Sequence, residues 1–474
     1  MKHLHPFKIV IYSICFALLI FFSAALVTQT ALAASKKTNN NETVNVIVVL
    51  NSSFAVSRGQ SNRSAAADIA RSMGLKAKRT FGTALFGFSA SMPQGRMNAL
   101  RKDPRVAYME LDELNHIPSP PDHANAPKRC KDDPTGPGCG GGGGDSGGND
   151  DESQEVPWGI ARIGSASNTG NGIHVYIIDS GIDNDHEDLE ANLGQGFAST
   201  PCVSKGKKNV CGAEWDDDNG HGTHVAGTVG AIDNNKGVIG VAPDVTLHAV
   251  KVLDSRGSAF SSEIIAGINW VASHKAIDDV VVANISIGGS GGKTGTCSAS
   301  GFIGNNAYQE AMCNAARMGV VFVVAAGNEG ADAENVRPAS YDDTSIAVSA
   351  IGQVVDGSGN LTGQLGWPSW SNWGNNSAGW TDDNSAPVAI SAPGMGVLST
   401  YRNNKYETQG GTSMASPHVA GAVALFLYSN AQVADYSAFI NARNHLLATE
   451  EATGGFLNQT GNPHDEDFLS ITNY

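Results

Sequence analysis

Short runs of valine and isoleucine alternate with stretches of helical spacing over most of this chain. From residue 156 onward, segments 174–178, 247–252, 280–285 and 320–325 are β-branched runs that predict buried strands. Segments 221–231, 262–273, 308–318 and 412–428 repeat their apolar positions as helices do. Val/Ile strands with helices between them predict a mostly parallel sheet covered on both faces, a three-layer α/β fold.

Residues 43–115 read as a smaller unit with its own pattern. Strands are expected at 44–50, 84–92 and 106–111, and helices at 65–73 and 93–100, the second opened by Pro93. With one more strand before Ala84, the order suggests a split βαβ sandwich, an α+β unit of ferredoxin-like type. Between the two units, residues 118–152 hold Pro118, Pro120 and Pro121, then five glycines from Gly140 to Gly144, then an acidic stretch. Such a segment buries too little apolar surface to fold alone, and it reads as a linker open to proteolytic processing.

The first 33 residues have the pattern of a secretion signal. Lys2 and Lys8 precede an apolar run at 9–27, and Ala31-Leu32-Ala33 offers small residues for cleavage. The alternative is an uncleaved membrane anchor. Of the 7 cysteines, Cys15 lies inside that run. The others fall into close pairs, Cys130/Cys139, Cys202/Cys211 and Cys297/Cys313, and local disulfides in an oxidising compartment are the simplest reading. A zinc site is the competing one, but the paired Cys-x-x-Cys spacing it needs is absent. The formal charge of −15 argues against a nucleic-acid partner, which calls for a basic face.

Three motifs carry candidate chemistry. Val175-Tyr176-Ile177-Ile178-Asp179-Ser180-Gly181 is a buried strand ending in an acid and a turn. A carboxylate there can hold the Nδ1 proton of a histidine, or simply cap the turn. Asn219-Gly220-His221-Gly222-Thr223-His224 opens a helix, and its glycines allow another backbone to approach. The two histidines share one side of that helix, so spacing alone does not choose between them. Gly411-Thr412-Ser413-Met414-Ala415-Ser416-Pro417-His418 places a serine among small residues at the start of a long apolar helix. Its N–H belongs to the first turn, where the helix dipole favours negative charge.

Together these motifs, in the order Asp, His, Ser, resemble the subtilisin family of serine peptidases over 154–474. The resemblance implies a subtilisin-like fold and an endopeptidase working through an acyl-enzyme. Asp179 would orient the imidazole, His221 act as base and then acid, and Ser413 as nucleophile. His224 and His418 would be structural. Asn328, in Ala326-Gly327-Asn328-Glu329, would share the oxyanion with the N–H of Ser413. Gly257, Ser258 and Ala259 on one edge, and Ser286, Ile287 and Gly288 on another, would pair with an extended substrate, with Ala326 and Gly327 walling a side-chain pocket. Calcium (Ca²⁺) would be held by Gln154, Asp188 and Asn234 and by carbonyls of Ile232, Lys236 and Val238.

The resemblance also implies a precursor. Residues 1–33 would be the signal, 34–117 an inhibitory propeptide that assists folding, 118–152 the linker, and 153–474 the peptidase. Val106-Ala107-Tyr108-Met109-Glu110-Leu111-Asp112 matches the propeptide's last strand. The mature N-terminus is expected near His116 or near Ser153, since Pro118 disfavours a cut directly after it. Protein or peptide substrates of broad range are expected, for a secreted monomer without stable membrane association. A narrow processing peptidase and an inactive binding protein on the same fold are the alternatives.

Overall fold

A computed structural model describes residues 42–118 and 153–474, apart from 57, 205–210, 357–360, 375–386, 454–455, 458–463 and 465. The expected signal segment, the 119–152 part of the linker and the Cys130/Cys139 pair lie outside the described residues.

The N-terminal unit forms a four-stranded antiparallel sheet in the order Ala77–Phe81, Gly87–Pro93, Thr43–Leu50, Val106–Leu111. The strand expected before Ala84 is Ala77–Phe81, whose mixed polar sequence hid its bounds. Helices Gln60–Ser72 and Gln94–Leu100 join the strands. Val46, Val48, Phe88, Ala66 and Met97 form its core.

In the larger unit the parallel sheet is built from strands Ser345–Val355, Val320–Ala325, Val281–Ile285, His174–Asp179, Thr246–Lys251 and Phe197–Ala198, in that order. Strand Ile390–Pro393 joins Ser345–Val355 in parallel, and Leu361–Gly366 pairs with it antiparallel. Successive strand residues point to opposite faces, and both faces are buried. Val175, Ile177, Val282, Val321 and Val323 pack with helices His221–Gly230 and Thr412–Ser429. Tyr176, Ile178, Val281, Ala283 and Val324 pack with helices Ser261–His274 and Ala307–Ala316. This is the two-faced covering that the continuous Val/Ile runs demand. Two disulfides, Cys202–Cys211 and Cys297–Cys313, consume thiolates that a zinc site would need.

The sheet decides where chemistry can sit. Parallel strands present their C-terminal ends on one edge, and loops from that edge converge there. Asp179 ends one such strand, and Ser286 and Asn328 follow the ends of two others.

Candidate active site

Asp179 closes an interior strand of the sheet and is fully buried. His221 is the first residue of its helix. The two glycines flanking it are required. Gly220 has φ +113°, and a Cβ there would lie 2.3 Å from the Tyr401 ring. A Cβ on Gly222 would lie 2.2 Å from the carbonyl oxygen of Gly181. Bare backbone therefore lets the helix start press against the acid strand. His221 Nδ1 stands 2.8 Å from Asp179 Oδ1, which also accepts the Ser180 N–H at 2.7 Å. A carboxylate oxygen accepts, so the proton lies on Nδ1 and the lone pair on Nε2. His221 Nε2 is buried, with no hydrogen-bond partner among the described residues.

Ser413 lies in the first turn of helix Thr412–Ser429 and is 2% exposed. Its hydroxyl donates to the Ser286 carbonyl at 3.4 Å, and Ser286 Oγ donates back to the Ser413 carbonyl at 3.0 Å. The structure thus brings Asp179 and His221 into hydrogen bond, but Ser413 Oγ faces Ser286 and not His221 Nε2. Asn328 Oδ1 accepts both the N–H and the Oγ–H of Thr412 at 2.9 Å. That pins the amide with its Nδ2 toward the cleft, where it donates to the carbonyl of Pro118 at 2.9 Å.

An extended segment fills the cleft. Leu114–His116 pairs antiparallel with Ser258–Phe260, placing Asn115 opposite Ala259 and His116 opposite Ser258. The Ile117 N–H donates to the Gly257 carbonyl at 2.9 Å. His116 and Gly288 exchange both backbone bonds at 3.0 Å. Gly257, Ser258, Ala259 and Gly288 therefore line the segment, while Ile287 is buried in the core behind them. Ala326 and Gly327 are held from behind by Asn372, whose Nδ2 donates to the Ala326 carbonyl at 3.0 Å.

The subtilase family model matches residues 170–462. The chain belongs to the subtilase family. Among its relatives, subtilisin DY of Bacillus licheniformis is 40% identical over 283 residues, spanning 58% of this chain and 85% of that protein. Subtilisin E of Bacillus subtilis is 33% identical over 360 residues, 73% of each. The crystal structure of a cold adapted subtilisin-like serine proteinase matches with a TM-score of 0.51 at 30% identity, covering 66% of this chain and 97% of that one. This subtilase is a serine endopeptidase acting on protein or peptide substrates.

Several residues that support the subtilase site escaped sequence reasoning. Asp217 is the chief one. Its Oδ1 accepts from Ser180 Oγ and from the N–H groups of Asn219 and Gly220, each at 2.9 Å. Its Oδ2 accepts from the N–H and Oγ–H of Thr223, at 3.0 and 2.6 Å. One carboxylate thus caps the helix that carries His221 and ties it to the strand end behind Asp179. An acid four residues before a helix-opening histidine was the available signal. Behind the strand, the fully buried Lys251 donates to Asp218 Oδ1 at 2.6 Å and to the Ser180 carbonyl at 2.7 Å.

The spare histidines of the subtilase have structural surroundings. His224 Nε2 lies 3.0 Å from the carbonyls of Val397 and Glu407, and burial pushes its pKa down to about 3. His418 Nδ1 donates to the Met414 carbonyl at 2.8 Å, and burial lowers its pKa to about 4.

The residues expected around a cation also converge. Gln154 Nε2 donates to the carbonyls of Ile232 at 2.7 Å and Val238 at 3.0 Å. Asn234 Nδ2 donates to Asp188 Oδ1, and the Val238 N–H and Tyr406 hydroxyl donate to Asp188 Oδ2, all at 2.9 Å. The Lys236 N–H donates to Asn234 Oδ1 at 2.9 Å. Asp188 is fully buried and forms no ion pair with a Lys or Arg among the described residues. With the Gln154 and Asn234 amides turned over to present their oxygens, these groups from separate loops would offer a hard cation an oxygen set around the Asp188 carboxylate.

Proposed function

We propose that Ser413 is the nucleophile, His221 the general base and acid, and Asp179 the group that holds the imidazole. The observation that carries this reading is the carbonyl of Pro118, lying on the Asn328 Nδ2 that Thr412, the neighbour of Ser413, holds in place, at the end of a segment docked like a substrate strand. For attack, the Ser413 hydroxyl leaves the Ser286 carbonyl and gives its proton to His221 Nε2, while Asp179 keeps Nδ1–H in place. The substrate carbonyl oxygen becomes negative where Asn328 Nδ2–H and the Ser413 N–H can donate to it. His221 then hands the proton to the leaving amine, and water repeats the sequence on the acyl-enzyme.

The N-terminal unit is, in this reading, the enzyme's own propeptide. Its last residues occupy the cleft, and its carboxylates reach the enzyme's helix starts. Asp112 accepts from the Ser262 N–H and Oγ–H at 2.9 and 2.7 Å, and Glu110 accepts from the Ala307 N–H at 3.2 Å. Such docking inhibits the enzyme until the connection is cut. Main-chain pairing in the cleft supports a broad range of substrate sequences. The leading apolar segment and the disulfides support export to an oxidising compartment. Gln154, Asp188, Asn234 and the carbonyls of Ile232, Lys236 and Val238 would hold a structural Ca²⁺. A fluorophosphonate probe tests the reading: one adduct on Ser413, absent when the enzyme is denatured before labelling, is expected. Stoichiometric labelling elsewhere, with hydrolysis abolished, refutes it.

A further inference from the structure

The docked segment makes one contact that main-chain pairing does not explain. Asn115 is 1% exposed, and its side chain is fully engaged. Oδ1 accepts from Arg337 Nε at 3.0 Å, and Nδ2 donates to Ser261 Oγ at 3.0 Å and to the Glu113 carbonyl at 3.1 Å. Gly289 forms the wall: a Cβ there would stand 2.4 Å from Asn115 Oδ1. The backbone of Gly289 pairs with that of Arg337, which fixes the wall and the guanidinium together.

Arg337 is largely covered, with its side chain 12% exposed. Its other ion-pairing partner is the carboxylate of Glu113. Among the described residues, both hydrogen-bonding partners of the guanidinium therefore come from 113–115, and neither from the peptidase unit. When that segment departs, the guanidinium and the Ser261 hydroxyl face whatever peptide replaces it. An apolar side chain would cover both without pairing either, and a lysine would add a like charge.

We propose that Arg337, Ser261 and Gly289 form a polar specificity pocket for a short carboxamide or carboxylate side chain, Asn or Asp. Counting back from the carbonyl on Asn328, Pro118 is the first residue before the scissile bond and Asn115 the fourth. The pocket thus selects the fourth residue, and Arg337 also favours an acid two positions further upstream, where Glu113 stands. The side-chain length follows from the wall, since Gly289 leaves room for one methylene before the planar group. This rests on the reading that 114–118 lies in the register of a substrate.

The test uses the mature enzyme and the series acetyl-X-Ala-Ala-Leu-p-nitroanilide, with X as Asn, Asp, Ala, Phe or Lys. The expected kcat/KM for Asn and Asp exceeds that for Phe and Lys by at least about 10-fold, because the rejected residues leave buried donors unpaired. Arg337→Met should bring the Asn-to-Phe ratio toward one and remove the response to Asp. A flat series, or one led by Phe, overturns the pocket, and an unchanged ratio in Arg337→Met overturns its assignment to Arg337. Both results leave the nucleophile intact. Hydrolysis of the series that survives Ser413→Ala refutes the underlying reading, and the pocket with it.

Discussion

Replacing Asp217 by asparagine removes one oxygen and tests how firmly the histidine is held. The residue is 7% exposed, and its carboxylate accepts from five donors. Asparagine can keep Oδ1 toward Ser180, Asn219 and Gly220. Its NH₂ then faces the Thr223 N–H, which has no other hydrogen-bond acceptor among the described residues, while the Thr223 hydroxyl can turn and accept. One buried N–H left unpaired costs about 1–3 kcal/mol. Loss of the charge at the helix start adds about 0.3–1 kcal/mol. The sum is about 1.3–4 kcal/mol, and about 2 kcal/mol is taken as the working value. If the loss falls on the unfolding barrier, the half-life of thermal inactivation shortens on the order of 30-fold. The assay is residual activity of the mature enzyme after timed heating, alongside kcat and KM on a small peptide ester. Because His221 is the first residue of the capped helix, kcat should fall while KM changes little. A half-life within twofold of the parent, with kcat unchanged, refutes the claim that this carboxylate positions the imidazole.

Pro118→Ala supplies an N–H opposite the Ser286 carbonyl, two residues along from the pairing of His116 with Gly288. Purified precursor should convert faster, by up to about 10-fold for one added hydrogen bond, and a time course on a gel that shows no acceleration contradicts this. Burial raises the pKa of Glu110 to about 7 in the docked state. Its contribution to docking is complete below the ordinary carboxylate value and is lost as pH rises through about 7. Inhibition by the propeptide added in trans should therefore weaken between pH 5 and 8, and Glu110→Gln should flatten that slope. Removing divalent cations with a chelator should shorten the thermal half-life of the parent, and Asp188→Asn should make that half-life insensitive to the chelator.

The catalytic motifs were legible because each is local. Asp179 ends a Val/Ile run, His221 sits between two glycines, and Ser413 opens an apolar helix. The supporting residues were hidden because their partners are distant in the chain. Nothing near Asn328 announces that Thr412 will orient its amide, and nothing near Ala326 points to Asn372. Four core strands were visible as β-branched runs. Strand Ser345–Val355 and its antiparallel neighbour Leu361–Gly366 were not anticipated, since serine, glycine and glutamine interrupt their apolar pattern. Helix Tyr436–Thr449 was also missed, although Asp435, which caps it through the Ser437 N–H at 2.8 Å, was a usable start signal. The docked tail illustrates a further limit. Proline at 118 argues against a cut after it, but only the fold places its carbonyl on Asn328.

The most direct test of the account is hydrolysis of casein by the mature Ser413→Ala variant, prepared by supplying active enzyme in trans to cleave its precursor. The variant should be a folded protein that still binds its propeptide and whose hydrolysis falls to the level of the buffer control. Casein hydrolysis at the rate of the parent would contradict it.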